Sequence, residues 1–225
     1  MQQVFVSWSG GKDSCLAGYQ AAKNGLKVCY LANMVTGDGQ RSWTHGLTPS
    51  LLQMQAQALG ITLLQHRTSR ADYEAEFKKV LARLKEHGIS GGVFGDIDLE
   101  EHRQWVERVC QQAGITPHLP LWGQRQSEIM RQLIDSGFTA IVVAARADLF
   151  DEEILGRKID PDLLRLLEEM SQSGDITPCG ESGEYHTFVT DGPWFQQRIE
   201  ITEARKILRE GHRFLEILGA ELRDK

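Results

Sequence analysis

Short apolar runs alternate with amphipathic stretches along the first two thirds of the chain. Apolar runs bounded by Gly, Asn or Asp are typical of buried strands, and apolar residues that recur three and four positions apart are typical of helices. The predicted strands are Gln3–Ser7, Lys27–Asn33, Ile61–Gln65, Gly91–Asp96 and Thr139–Ala145, and the predicted helices are Asp13–Lys23, Pro49–Gly60, Ala71–His87, Glu100–Ala113 and Gln126–Asp135. This alternation predicts parallel strands joined by right-handed crossovers, and therefore an open, mostly parallel α/β sheet.

The pattern changes towards the end of the chain. The elements predicted there are a charged loop, a short helix, a strand and the turn of a β-hairpin, at Asp148–Asp160, Pro161–Met170, Tyr185–Thr190 and Glu210–His212. We therefore predict two domains. An α/β domain is expected at residues 1–118, and a smaller α+β domain at residues 119–225.

The segment between the first strand and the first helix is the most informative polar stretch. It reads Ser9-Gly10-Gly11-Lys12-Asp13-Ser14. Glycines let backbone N–H groups approach an anion closely, and a helix start adds N–H donors and a partial positive charge. Lys12 adds a full positive charge, and the hydroxyls of Ser9 and Ser14 can donate further hydrogen bonds. The segment predicts a phosphate-binding loop at the carboxyl end of a strand, where open α/β sheets bind ligands.

This loop differs from the phosphate-binding loop of mononucleotide kinases and GTPases. That loop requires a glycine, four further residues and then Gly-Lys-Ser/Thr. In this chain Val6 stands at the position of the first glycine, and Asp13 follows Gly11-Lys12 in place of Ser or Thr. A kinase or GTPase of that class is therefore not indicated.

Charge and cysteine content narrow the set of functions further. The net charge is −6, which argues against a nucleic-acid partner. No apolar run of about 18 residues is present, so no membrane-spanning segment is expected. The predicted first strand begins within the first few residues, so we expect no signal peptide. The four cysteines have no C-x-x-C spacing, so we expect reduced thiols in a cytoplasmic protein.

A second polar segment, near the end of the chain, reads Cys179-Gly180-Glu181-Ser182-Gly183-Glu184-Tyr185-His186-Thr187-Phe188. Two carboxylates, a tyrosine and a histidine lie within six residues of one another. Two neighbouring carboxylates can hold Mg²⁺, bind an ammonium ion or act as a base. On composition alone, the segment is equally well interpreted as a polar turn that leads into the predicted strand.

Together the two polar segments resemble one family. Ser9–Ser14 resembles the SGGxDS pyrophosphate loop of N-type ATP pyrophosphatases, and Gly180–Phe188 resembles the late motif of the diphthine–ammonia ligase (diphthamide synthase) family. Further matches extend the resemblance over nearly the whole chain, at Leu31–Asn33, Gly95–Ile97, Pro120–Gly123 and Leu155–Asp160. Ser182 departs from the glycine that is common in the family, and Arg41–Gly46 only loosely follows the family's aromatic segment near the substrate.

The resemblance implies a sheet of the adenine nucleotide alpha hydrolase (HUP-like) type and an amidation in two steps. A carboxylate attacks the α-phosphorus of ATP and pyrophosphate leaves, and ammonia then displaces AMP from the acyl-adenylate. The implied product is diphthamide on elongation factor 2, the implied cofactors are ATP and Mg²⁺, and the implied nitrogen source is free ammonium. The resemblance also implies that residues 1–118 form the ATP-binding domain and residues 119–225 the substrate-binding domain. The resemblance is compatible with a homo-oligomer and does not decide the oligomeric state.

The same resemblance implies roles for individual residues. The implied catalytic residues are Lys12, Asp13, Glu181 and Glu184, of which Asp13 and Glu184 are also implied ligands of Mg²⁺. The residues implied to bind ATP are Ser7, Ser9, Gly10, Gly11, Lys12, Asp13, Ser14, Ala32, Asn33 and Met34. Contacts to the acceptor are implied for Gly180, Gly183, Tyr185, His186 and Thr187. His45, Asp96 and Arg103 are further candidates for such contacts because they follow predicted strands at the cleft, and a solvated surface position is the open alternative for His45 and Arg103. Trp105 and Trp122 are interpreted as core residues rather than as ligand platforms.

Three alternatives stay open. A nucleotide-binding module would sense or store ATP or AMP without making an amide, although it would have no need of a pyrophosphate loop. A tRNA-modifying pyrophosphatase would use further cysteines or a basic RNA-binding domain, which neither the cysteine spacing nor the charge supports. If the chain is bacterial, its acceptor must be a different carboxylate, because bacteria have no diphthamide.

Overall fold

The computed structural model describes residues 1–42 and 46–225, and the chain forms two compact units. The first unit comprises Met1–Ser9 and Asp13–Gly123, and the second comprises Gly10–Lys12 and Gln124–Lys225. Three residues near the start of the chain therefore belong to the unit formed by its end. The predicted assignment of ATP to one domain and the substrate to the other stays a prediction. His45, which was predicted to contact the acceptor, lies outside the described residues.

The first unit contains a five-stranded sheet in the order β3-β2-β1-β4-β5, and every neighbouring pair is parallel. This confirms the predicted open α/β sheet. The strands are β1 (Gln3–Ser7), β2 (Lys27–Thr36), β3 (Thr62–Thr68), β4 (Gly91–Val93) and β5 (Thr116–His118). Strand order reverses between β1 and β4, and ligands of open α/β sheets bind at such a reversal, beyond the carboxyl ends of the strands.

Three strands differ in extent from the prediction. β2 and β3 run three residues further because their parallel register continues from Met34↔His66 to Thr36↔Thr68. β4 ends at Val93, three residues early. β5 was not predicted at all, since it has only three residues and contains Pro117. A proline lacks the N–H group for a ladder hydrogen bond, so it is tolerated at the sheet edge where β5 lies.

Four helices pack on this sheet: α1 (Lys12–Lys23), α2 (Pro49–Leu59), α3 (Tyr73–Glu86) and α4 (Glu100–Ala113). The predicted start of α2 is confirmed, because the Thr48 hydroxyl accepts a hydrogen bond from the Leu51 N–H group and Pro49 occupies the first turn. The apolar stripe predicted on α3 is also observed. Its buried side chains pack into a core that includes Phe5 of β1 and Val109 of α4.

The second unit contains a four-stranded antiparallel sheet in the order β7-β6-β9-β8. Its elements are α5 (Gln126–Asp135), β6 (Thr139–Arg146), a 3-10 turn (Glu152–Ile154), α6 (Pro161–Gln172), β7 (Tyr185–Asp191), β8 (Gln197–Arg209) and β9 (His212–Asp224). The prediction that Thr139–Ala145 continues the parallel pattern is wrong. β6 is buried along nearly its whole length. Its sequence is therefore a continuous apolar run, which is also the pattern of strands in parallel sheets, because those strands are buried on both faces.

The closing β-hairpin is confirmed. β8 and β9 pair from Gln197↔Asp224 to Arg209↔His212, which leaves a two-residue turn. Both turn residues lie in the left-handed region, with φ of 50° at Glu210 and 76° at Gly211. This is the conformation that two-residue hairpin turns require, and a glycine adopts it without steric cost.

The helices and the buried cysteines of this fold bear on membrane insertion and on thiol reactivity. None of the helices in the described part of the chain has the length and apolarity needed to cross a membrane. Cys15 and Cys110 are both buried. Burial raises the pKa of the Cys110 thiol to about 12 and that of Cys15 further still, so neither forms a reactive thiolate at neutral pH.

We expect Gly92→Ala to lower the free energy of unfolding by about 1–3 kcal/mol, because a larger residue would overpack the core of the first unit. A Cβ atom at this position would lie 2.6 Å from the Phe5 ring. That ring is fully buried and contacts Phe77 and Phe94 edge-on, so it has no room to move. Urea denaturation followed by circular dichroism measures the change.

Gly37→Ala is the matched control, because the only atom near an added Cβ is a Thr68 backbone oxygen at 3.8 Å. We expect this control to change the free energy of unfolding by no more than about 0.5 kcal/mol. Equal effects of the two substitutions would contradict the packing argument.

Candidate functional site

The segment that joins β1 to α1 forms a tight loop with two adjacent hydroxyl groups. Gly10 has a φ of 83°, in the left-handed region that favours glycine. The Ser9 N–H group donates to the Ser14 hydroxyl at 3.4 Å, and the two hydroxyl oxygens lie 3.1 Å apart. Both hydroxyls therefore lie close to the first turn of α1, where backbone N–H groups and the helix dipole favour an anion.

Gly95 supports this loop from β4. A Cβ atom at Gly95 would lie 2.9 Å from both the Asp13 carbonyl carbon and the Ser14 backbone nitrogen. The backbone after β4 thus packs directly against the first turn of α1. Any side chain at this position would displace the start of the helix, so Gly95 is explained by packing as well as by resemblance.

The second unit holds the middle of the loop. The Val189 N–H group of β7 donates to the Gly10 carbonyl at 3.0 Å. The Lys12 N–H group donates to the Thr187 hydroxyl at 3.0 Å. Strand β7 therefore fixes the loop on both sides of Gly11, by one bond to a carbonyl and one from a helix N-terminal N–H group.

The Lys12 ammonium is buried, with only 4% of the residue exposed. It donates to the Cys179 carbonyl at 2.5 Å and lies 5.4 Å from the centroid of the Tyr185 ring. The Tyr185 hydroxyl in turn donates to the Pro178 carbonyl at 2.6 Å. A carbonyl oxygen and an aromatic face both stabilise a desolvated cation. The structure thus brings Lys12 together with Tyr185 and Thr187, three of the predicted site residues.

Glu184 has one satisfied and one unsatisfied carboxylate oxygen. The side chain is buried, and its Oε1 accepts a hydrogen bond from the Thr177 N–H group at 2.6 Å. Its Oε2 is also buried, and no donor for it exists among the residues that the structure describes. A buried carboxylate oxygen without a partner is rare in folded proteins and fits a position that a bound cation or N–H donor completes.

Glycines shape the backbone around this carboxylate. Gly180 and Gly183 have φ values of 75° and 81°. A Cβ atom at Gly180 would lie 2.8 Å from the Tyr185 carbonyl, whereas one at Gly183 would meet no atom within 4 Å. Gly180 is thus needed for close packing, and Gly183 for its backbone conformation. The Glu181 side chain is only partly buried, and its N–H group donates to the Thr177 hydroxyl at 2.8 Å.

His186 is held in its neutral form. Burial, followed by the positive charges of Lys12 and His212, lowers the pKa of the imidazole to about 4. At neutral pH the ring therefore carries no charge, and it adds nothing to the positive charge of Lys12.

Asp13 and Glu184 are the residues predicted to bind Mg²⁺. Within the described ranges, no group of three or more His, Cys, Asp or Glu side chains is arranged to hold an ion. Mg²⁺ is commonly held by one or two carboxylates together with phosphate oxygens and water. The unpartnered oxygen of Glu184 fits such a role, and the assignment of Asp13 and Glu184 as metal ligands stays a prediction.

The first unit has a cavity of its own at the carboxyl ends of β1 and β4, with a volume of about 350 Å³. Its lining includes Ser7, which was predicted to bind ATP, and Asp96, which was predicted to contact the acceptor. The other lining residues are Tyr73, Phe94, His102, Trp105 and Val106. Trp105, interpreted from the sequence as a core residue, packs against the core and also lines this cavity. Its place in the second turn of the helix that follows Asp96 was the available signal.

Several predicted residues have structural side-chain contacts. Ala32 and Met34 belong to the core, and the Asn33 amide donates to the Trp8 carbonyl at 2.8 Å. These three residues can offer only backbone groups to a nucleotide. Arg103 is bonded to Glu100 at 2.8 Å, its guanidinium carbon lies 5.1 Å from the centroid of the Trp122 ring, and the residue does not line the cavity.

Comparison with known families matches both units. A family described as "Diphthamide synthase N-terminal domain" matches residues 2–117, and one described as "Diphthamide synthase C-terminal domain" matches residues 125–222. Together these matches cover nearly the whole chain.

Individual relatives agree with this match. The chain is 28% identical to a mouse protein over 92% of this chain and 85% of the relative, and 27% identical to a human protein over 96% and 91%. A zebrafish protein is 26% identical over 92% and 89%. All three are named diphthine–ammonia ligase. A solved structure titled as a predicted subunit of tRNA methyltransferase, from Methanocaldococcus jannaschii, aligns with a TM-score of 0.45 and 19% identity over 84% of this chain and 96% of that chain.

The lowered pKa of His186 predicts a pH-dependent stability. An imidazole in the unfolded chain titrates near pH 6.5, roughly two and a half units above its pKa of about 4 in the fold. Between these values the unfolded chain binds more protons, so stability falls as the pH falls from about 6.5 to about 4 and is unaffected by this group above that window. We expect a loss of about 2 kcal/mol between pH 7.5 and pH 4.5 that His186→Gln does not show.

Urea denaturation of both proteins at the two pH values measures this difference. The comparison with His186→Gln removes the contributions of the other titrating groups, since both chains share them. Identical pH dependence in the two proteins would show that His186 titrates normally in the fold.

Proposed function

Because both units of this chain belong to the diphthamide synthase family, we propose that it is an ATP-dependent ligase that amidates a carboxylate, releases AMP and takes its nitrogen from ammonia. The acceptor we propose is diphthine on elongation factor 2. The observation that carries the proposal is the position of Lys12. Its backbone belongs to the phosphate-binding loop, while its side chain is held by Cys179 and Tyr185 of the late Glu-rich segment.

The loop supports the binding of the pyrophosphate part of ATP. Ser9, Ser14 and the first turn of α1 offer hydroxyl and N–H donors. The Lys12 ammonium now donates to a neutral carbonyl. A bond to a charged phosphate oxygen is about twice as strong, so the ammonium can exchange the Cys179 carbonyl for a phosphate. Lys12 would then stabilise the charge that develops on the departing pyrophosphate.

Mg²⁺, when bound, neutralises phosphate charge and orients the reacting phosphorus. Asp13 and Glu184 are the proposed protein ligands. The unpartnered Oε2 of Glu184 is the oxygen that fits this role best, since its other oxygen already accepts the Thr177 N–H group.

The Glu-rich segment supports the use of ammonium. A buried carboxylate oxygen can bind an ammonium ion and accept the proton that it must lose before it attacks the acyl carbon. This use of the Glu184 Oε2 is the alternative to Mg²⁺ binding by the same oxygen, and the partly exposed Glu181 offers negative charge nearer to solvent. A neutral His186 suits this role, because a charged imidazole beside the segment would repel the incoming ammonium.

The acceptor is supported by the names of the relatives, which are diphthine–ammonia ligases. Elongation factor 2 as the carrier and the cytoplasm as the compartment are part of this proposal. An acceptor with a different carboxylate is the alternative within the same chemistry. A nucleotide-binding module that makes no amide is the alternative outside it.

Product analysis tests the proposal. The protein is incubated with α-labelled ATP, Mg²⁺, ammonium and elongation factor 2 that carries diphthine, and AMP is separated from ADP. AMP that forms only with the diphthine protein is the expected result. AMP that forms without it would point to another carboxylate, and ATP binding without any AMP would favour the nucleotide-binding module.

We expect Lys12→Ala to lower AMP formation by at least about 10²-fold, because the variant loses a buried charge that stabilises the leaving pyrophosphate. Lys23→Ala is the matched control, since Lys23 is exposed at the other end of the same helix. The control should keep wild-type turnover. Unchanged turnover in Lys12→Ala would overturn the assignment of the pyrophosphate loop.

We expect Glu184→Gln to retain ATP binding but to block amide formation, because the amide cannot accept a proton from ammonium. ATP binding is measured by calorimetry, and the amide by mass spectrometry of the acceptor. Glu169→Gln, which changes an exposed carboxylate on α6, should behave as wild type. Undiminished amide formation in Glu184→Gln would remove this residue from the chemistry.

A further inference from the structure

We infer that the outer edge of strand β8 binds the same edge of a second copy of this chain, so that two hairpins join into one sheet across a two-fold axis. The inference does not rest on the proposed function. It rests on the exposure of β8, on the order of its charged residues and on the register in which those charges are complementary.

β8 is the outermost strand of the sheet in the second unit. In the part of the chain that the structure describes, it pairs with β9 alone. Residues 202–206 are exposed at every position, and Leu208 is 64% exposed. Edge strands are commonly protected by proline, and β8 contains none. A long edge of this kind presents a row of backbone N–H and C=O groups with which a further strand can pair.

Symmetry limits the ways in which two such edges can pair. In an antiparallel pair with a two-fold axis perpendicular to the sheet, one residue lies on the axis opposite its own copy, because successive side chains point to opposite faces. The pairing of β8 with β9 shifts between Ile201 and Ala204 and then resumes its register, so no residue is inserted in β8 relative to β9. Each possible register between two copies is therefore defined by the residue on the axis.

The charged residues of β8 exclude most of these registers. Like charges directly opposite each other destabilise a strand pair. They meet whenever the axis passes through a charged residue, and also when it passes through Thr202 or Ile207. Of the axis positions that remain, Ala204 pairs the longest stretch of the strand, residues 199–209. We therefore place Ala204 on the axis.

This register brings opposite charges and apolar side chains together. Glu203 lies opposite Arg205 of the second copy, and Ile201 lies opposite Ile207 of the second copy. Symmetry makes each of these contacts occur twice. Opposite charges and pairs of large apolar side chains are cross-strand contacts that stabilise a sheet.

The two charged residues are suited to this contact within their own chain. Among the described residues, Glu203 has no ion-pair partner. Arg205 donates from Nε and Nη2 to Glu216 of β9 at 2.6 Å, which holds its guanidinium against the sheet. A guanidinium has five N–H donors, so Arg205 can also bond Glu203 of the second copy. Exposed ion pairs of this kind select a register more than they add affinity.

Analytical ultracentrifugation of the whole chain tests the association. One strand pair is a small interface, so we expect the mass to rise from that of one chain towards that of two between about 1 and about 100 µM. Glu203→Lys places lysine opposite Arg205 of the second copy and should raise the dissociation constant at least about fivefold. Glu101→Lys, the same change of charge at an exposed position on α4, should leave the dissociation constant unchanged. Circular dichroism verifies that both variants fold.

Cysteine crosslinking tests the register. In Ala204→Cys the two new thiols lie opposite each other on the axis, within reach of a disulfide bond. In Lys206→Cys each new thiol lies opposite Thr202, roughly 13 Å along the strand from its copy. With oxidised glutathione as the oxidant, we expect Ala204→Cys to form a disulfide-linked dimer at least about tenfold faster than Lys206→Cys. The four native cysteines are common to both variants.

Several results would overturn the inference. The mass of a single chain over the whole concentration range would show that the edges do not pair. Species larger than two chains would contradict a two-fold contact, because such a contact uses both edges and closes at the dimer. A dimer that Glu203→Lys leaves intact, or equal crosslinking of the two cysteine variants, would show that the copies join by another surface or in another register. All these measurements are made without ATP, so they are independent of whether AMP forms.

Discussion

The hydrogen bonds between Gly10–Lys12 and strand β7 are the constraint on which the rest of the site depends. They fix the carbonyl of Gly10 and the N–H group of Lys12, on either side of Gly11. The same strand begins at Tyr185, directly after Glu184, so the Lys12 backbone and the buried carboxylate both take their positions from this part of the chain.

Lys12, Glu184 and His186 carry titratable groups that are largely removed from water. The Lys12 ammonium is desolvated and is held by a carbonyl and a ring, which are weaker partners than a phosphate. Glu184 keeps one oxygen without a donor, and His186 stays uncharged beside them. Each of these arrangements is unfavourable in isolation and becomes favourable when a ligand of complementary charge arrives. This is the pattern expected of a binding site and not of a structural core.

The features that could be predicted from the sequence are local ones. The strand–loop–helix around Ser9–Ser14 and the hairpin turn at Glu210-Gly211 depend on neighbouring residues, and both were predicted correctly. The pairing partners of β6 depend on distant strands, and its fully apolar run hides whether they are parallel or antiparallel. The short edge strand β5 leaves almost no periodic signal. Trp105 and Met34 are both large apolar residues, so the sequence does not distinguish them. Tertiary packing decides that Trp105 lines a cavity and that Met34 lies in the core.

The membership of Gly10–Lys12 in the second unit has a consequence for how this protein can evolve. Domains that meet only at a linker can be exchanged between genes as separate modules. Here the tripeptide Gly10–Lys12 exchanges hydrogen bonds with a strand that follows it by more than 170 residues in the sequence. A recombination event that replaced only the Gly10–Lys12 loop or only strand β7 would pair the loop with a strand with which it had not evolved. The two halves are therefore expected to be inherited as a single unit of descent.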